Sequence, residues 1–195
     1  MSDQNLHQDI DTIRRMIESS RRDRASSGDI YVAWGVIVLL GTLLETLGMH
    51  LQWTRPWLVW LILGTLGGVY SGVVGHRRAA AAKVLTYASK VEGHAWLMCG
   101  ISIIAVAFVG GATGAIPHQL ITPLISLLIA VAIGVSGAVY ENTALRAAGF
   151  GFAAVGIASL FLERPAPQIL FAAMIVVGYI LPGVAMNRSQ EPEGA

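Results

Sequence analysis

Apolar residues divide the chain into a polar opening of about 29 residues and six apolar stretches at approximately 31–50, 56–76, 94–113, 119–140, 145–162 and 167–186. Each approaches the ~20 residues a helix needs to cross a bilayer. Within lipid a segment must satisfy its own backbone N–H and C=O groups, and for single spans of this length only the helix does so. The pattern therefore predicts an all-α polytopic membrane bundle of six transmembrane helices. Short connections predict antiparallel neighbours, arranged as three hairpins. The fifth stretch, ALRAAGFGFAAVGIASLFL, is the shortest and the richest in small residues.

The chain thus reads as a cytoplasmic segment at 1–29, a six-helix domain at 30–187 and a short polar tail at 188–195. The opening segment lacks the apolar run of a secretory signal. It carries a different pattern: in QDIDTIRRMIESSRR, Ile10, Ile13, Met16 and Ile17 share one helical face, while Arg14, Arg15, Glu18, Arg21 and Arg22 fill the rest. That periodicity predicts an amphipathic helix over about 7–24. Such a helix can lie on an anionic inner leaflet, each nearby basic residue contributing about 1 kcal/mol. It can equally pack on the cytoplasmic end of the bundle or against a second copy.

Composition agrees with a membrane setting. Hydrophobic residues make up 54% of the chain and charged residues 13%, about half the roughly 25% of a soluble domain. The formal net charge of +1 matters less than its distribution. With the N-terminus in the cytoplasm, Arg14, Arg15, Arg21, Arg22, Arg24, Arg77, Arg78, Lys83, Lys90, Arg146 and Arg188 fall inside, and only Arg55 and Arg164 outside. This bias predicts an inner-membrane protein with both termini cytoplasmic. Tyr31, Trp34 and Trp96 would mark the inner interface, Trp53 and Trp57 the outer. Pro56, Pro117, Pro123, Pro165 and Pro167 sit near the starts of the even helices, where a missing N–H costs least. Residues 76–92 form the largest internal connection, and their alanine-rich start predicts that the second helix runs on past the membrane. The one cysteine, Cys99, lies among apolar residues and reads as a small buried hydrophobe.

Gly64, Gly68 and Gly72 recur every fourth residue, as do Ala130, Gly134 and Ala138. Such stripes let helix backbones approach closely. Packing within the bundle is the favoured reading of the glycine stripe, with a homo-oligomer face as the alternative. A tyrosine precedes the inner basic residue of each even helix (Tyr70, Tyr140, Tyr179), consistent with a repeat or with the common needs of interfacial tyrosines.

Glu45 is the leading candidate for function. A carboxylate within a span is costly and so marks a functional suspect, although Glu45 lies only about 7 Å along the helix from His50, close enough to reach the interface or pair with Arg55 or Arg164. His50, His118 and Glu163 share the outer face with it, and together the four are the candidate ligand- or proton-binding residues. Imidazole and carboxylate are also divalent-cation ligands, but none of the four shows metal-ligand spacing, so no metal site is assigned. The inner face offers Glu92, His94, Glu141 and Arg146, with ion pairs expected for Glu92 across a short turn and for Glu141 with Arg146.

The chain holds no glycine-rich phosphate loop, CxxC, HExxH or GxSxG, so nothing points to a cofactor or to catalysis. The run DIDTIRRMIESSRR followed by SSGDIYVAWGVIVLLGTLLE resembles the start of a group of uncharacterised bacterial membrane proteins, in which a short helix of the form IRxMIExSxR precedes a glycine- and aromatic-containing first span. The resemblance covers about the first 50 residues. It implies an inner-membrane protein with a cytoplasmic amphipathic helix before its bundle, and it brings no activity and no site residues. Three functions fit. The first is small-solute or ion transport or binding at a cavity near Glu45. The second is a sensor or accessory subunit acting on a cytoplasmic protein partner through 7–24 and 76–92. The third, ranked last, is a membrane-embedded enzyme acting on a lipid, which mutual contact of His94, Glu92 and Glu141 beside a lipid-sized groove would favour. The lipid bilayer is the one partner common to all; nothing suggests nucleic acid.

Overall fold

The computed structural model describes residues 28–81 and 87–188. The predicted amphipathic helix at 7–24, the IRxMIExSxR run and the C-terminal tail beyond Arg188 lie outside the described residues. Six helices carry the rest: α1 (Gly28–His50), α2 (Leu58–Ala81), α3 (Tyr87–Thr113), α4 (His118–Val139), α5 (Thr143–Ser159) and α6 (Ala166–Arg188). No strand occurs among the described residues. Five of the helices are long and apolar enough to cross a membrane, and α5, with 17 residues, is the shorter exception. As the alanine-rich run suggests, α2 continues to Ala81.

Local chemistry explains most helix ends. Asn142 caps α5, its Oδ1 accepting from the N–H groups of Ala144 at 2.9 Å and Leu145 at 3.2 Å. Pro117 and Pro165 hold the N-cap positions of α4 and α6, and Gly114 ends α3 with a left-handed φ of 71°, a conformation only glycine adopts freely. Two helices contain wider turns, Ala105–Gly110 in α3 and Val176–Ile180 in α6, with π-helical geometry.

The core lies where α4, α5 and α6 meet. Ile133, Leu145, Phe152 and Ile175 are essentially sealed from the surface. The α4–α5 crossing is close because both partners are small: a Cβ on Gly149 would stand 3.0 Å from the Cα of Gly134 and 3.2 Å from the carbonyl of Ala130. Ala130 and Gly134 therefore do what their spacing predicts, whereas Ala138, the third member of that stripe, is exposed. The buried hydroxyl of Ser126 donates to the Phe152 carbonyl at 2.8 Å, so its polar group is matched across the same interface.

The glycine stripe of α2 behaves differently. No described atom lies within 4 Å of a Cβ built on Gly64, Gly68 or Gly72, so the expected packing of these three inside the bundle does not occur among the described residues. The glycine that α2 uses is Gly67, one position off the stripe. A Cβ there would meet the Trp34 ring at 2.8 Å, and Trp34 Nε1 donates to Ser71 Oγ at 2.8 Å. The reverse contact repeats the arrangement. Trp60 of α2 lies over Gly41 of α1, and its Nε1 donates to Glu45 Oε2 at 2.9 Å. In each case an indole lies in the notch left by a glycine and donates to a polar side chain four residues further along the same helix, one turn away.

Aromatics assigned to the interfaces from sequence also move inward. Tyr31 is 3% exposed, and it packs with Trp96 and Tyr179 at ring-centroid distances between 5.3 and 6.0 Å. Tyr179 extends the cluster to Phe152 at 6.0 Å. Edge-to-face pairs of this kind add attraction beyond the area they cover. Tyr140 and Tyr179 are buried while Tyr70 is exposed, so the three tyrosines do not hold equivalent positions as a repeat would require.

Candidate functional site

The turn from α1 to α2, the start of α4 and the turn from α5 to α6 come together at one end of the molecule, here called the distal end. Arg164 joins them: its Nη1 reaches Met49 Sδ at 3.5 Å and its Nη2 the His118 carbonyl at 3.4 Å. The Gln168 amide, turned with its oxygen towards the guanidinium, accepts from Arg164 Nε at 3.0 Å and donates to the Pro165 carbonyl at 3.2 Å. Every one of these acceptors is neutral, so the charge of Arg164 is fixed in place without being neutralised.

Beside it opens a cleft of about 670 Å³, within the usual size of small-ligand sites. His118 and Gln119 of α4 line one side, Glu163, Arg164 and Gln168 the other, with Ser159 and Leu160 from the end of α5. Ser159 is only 3% exposed, and its Oγ has no hydrogen-bond partner among the described residues. A buried hydroxyl without a partner is uncommon in native structures, because its desolvation is uncompensated.

The four distal residues singled out by sequence separate into two groups. His118 and Glu163 line the cleft. Glu45 does not; it is half-buried and held by Trp60, although its charge, like that of Arg164, acts on the His118 ring. His50 is exposed at the end of α1 and lines no part of the cleft. No three His, Cys, Asp or Glu side chains among the described residues converge as metal ligands. Ser159, Gln168 and Arg164 were missed as site residues. Ser159 gives no signal in sequence, since a serine ending a small-residue helix is ordinary. Arg164 stood out only as one of two basic residues on the sparse side of the charge distribution.

At the opposite, proximal end the polar residues also regroup. Glu92 of α3 accepts from Tyr31 of α1 at 3.2 Å and from Tyr140, the residue that follows α4, at 2.5 Å, one tyrosine on each oxygen. Trp96, one turn on, donates to Ser136 Oγ of α4 at 3.1 Å, and Asn187 Nδ2 of α6 donates to Asp29 Oδ1 of α1 at 2.8 Å. His94 turns away from Glu92: it is exposed, with Nδ1 2.8 Å from the Lys90 carbonyl of its own helix. The expected Glu141–Arg146 ion pair is replaced. Arg146 Nε donates to the Gly137 carbonyl at 3.1 Å, satisfying the C-terminal end of α4. Glu141, exposed and with a φ of 52°, forms the turn itself. His94, Glu92 and Glu141 thus form no common cluster among the described residues. Cys99 is buried, 6% exposed, as its apolar surroundings suggest.

Comparison of the chain with protein-family models, with curated proteins and with solved structures finds no match in any of the three, so the case for a site rests on the cleft's own geometry.

Proposed function

We propose that this is a multi-pass inner-membrane protein that binds, and in doing so transports, a small polar solute or ion admitted at the distal cleft. In this reading the six helices all span, both termini are cytoplasmic and the cleft opens outward, as the distribution of Lys and Arg favours. The observation that carries the proposal is the cleft itself, which His118, Glu163 and Arg164 line together. Glu45 lies outside the cleft, its carboxylate held by Trp60, yet its charge reaches the His118 ring.

Thermal unfolding in detergent, across pH and a panel of ions and small metabolites, tests this. A true ligand at about 100 times its dissociation constant stabilises the fold by about 2.7 kcal/mol. That stabilisation should vanish in Arg164→Gln and shrink in Glu45→Gln. A wild type that nothing shifts, with both variants unfolding alike, would end the proposal. The alternative, a sensor or accessory subunit, draws support from the proximal end, where Glu92 gathers α1, α3 and α4 beneath the predicted cytoplasmic surface. Capture of a cytoplasmic partner through 7–24 or 76–92 would favour it.

A further inference from the structure

We propose that the distal cleft takes a zwitterionic group, with an anionic phosphate or carboxylate against Arg164 and an ammonium a few bonds away against Glu163. This rests on the reading of the cleft as a ligand site and names the chemistry that the site selects. Two observations carry it. Arg164 is pinned through three of its nitrogens to neutral acceptors on α1, α4 and α6, an arrangement that orients a guanidinium and leaves its full charge to meet an anion. Glu163, the adjacent residue, lines the same cleft with an exposed carboxylate. Opposite charges on neighbouring residues of one cleft each repel one sign of a simple ion while attracting the other; a ligand carrying both signs meets both favourably.

The same chemistry occurs in a free amino-alcohol phosphate and in the headgroup of an aminophospholipid. Exposed Leu160 at 46% and Phe161 at 83%, flanking the cleft, would sit beside acyl chains in the second case. Binding to the full-length protein in detergent is measured by calorimetry for phosphoethanolamine, ethanolamine, glycerol 3-phosphate and inorganic phosphate. Phosphoethanolamine should bind at least 10-fold more tightly than either half-ligand. Arg164→Gln should abolish that binding, Arg164→Lys should recover part of it, and Glu163→Gln should bring phosphoethanolamine down to the affinity of glycerol 3-phosphate. Ligand-free unfolding temperatures like that of wild type show that the variants are folded. Native mass spectrometry from nanodiscs containing equal phosphatidylethanolamine and phosphatidylglycerol separates the sources. Retained phosphatidylethanolamine, lost in Arg164→Gln, identifies the lipid headgroup, and no lipid preference beside tight phosphoethanolamine binding identifies the free solute. Equal affinity for phosphoethanolamine and its halves, with no lipid preference, overturns the proposal. If another ion or metabolite then binds through Arg164, the broader reading of the cleft survives; if nothing binds, both fall.

Discussion

The Tyr140 and Tyr31 hydroxyls occupy the two oxygens of Glu92 unequally, at 2.5 and 3.2 Å. Hydrogen bonds to a charged group contribute about 1.5–3 kcal/mol each, the shorter being the stronger. Tyr140→Phe is therefore expected to lower unfolding free energy by about 2 kcal/mol, measured by denaturant titration in mixed micelles. Tyr31→Phe should cost less, and equal losses would contradict the ranking. Glu92 was visible in the sequence as a polar residue entering a span, but its partners were not. A carboxylate near a helix end fits a lysine across a turn as well as two tyrosines on other helices, and only the rotation of α3 about its axis distinguishes them. Glu45 carries the same lesson at the distal end. Its rarity within a span was legible; its bond to Trp60 depends on the glycine notch at Gly41 that lets the indole lie close.

Glycine separates the helices by role. A methyl on Gly149 would stand within 3.2 Å of three backbone atoms of α4, and backbone cannot step aside as a flexible side chain can. Gly149→Ala should push α4 from α5 and cost about 1–3 kcal/mol. Gly68→Ala meets no described atom within 4 Å, so it should be neutral or gain up to about 1 kcal/mol from helix propensity. Unfolding of the two variants side by side checks the contrast, and a large cost at Gly68 would show that this face is covered in the membrane. The fourfold spacing of small residues is the same in α2 and α4. Spacing alone marks a face on which helices can approach, and it takes the partner's placement to decide whether one does. The reciprocal pairs Trp34 with Gly67 and Trp60 with Gly41 were hidden for the same reason, being defined by two helices at once.

For the molecule as a whole, the distribution of basic residues predicts which end faces out. Phe161 at the distal end and Tyr87 at the proximal end are each 83% exposed, which makes them matched reporters. In a Cys99→Ala background, Phe161→Cys should react with a membrane-impermeant maleimide in intact cells. Tyr87→Cys should react only after the membrane is opened. The reverse result would place the cleft in the cytoplasm and remove the outward-facing site. The helical class, the approximate limits of the six helices and the polar residues worth suspecting were already legible in the chain. These follow from hydrophobic length and periodicity, which act within one segment at a time. Only the placement of the helices decided that Arg164, Glu163, His118 and Ser159 line one cleft, that Glu92 lies between two tyrosines, and that Gly64, Gly68 and Gly72 meet no other described helix. Each of those facts depends on how helices distant in sequence are rotated and pressed together, and apolar segments of similar length and composition leave that choice to side-chain fit between them.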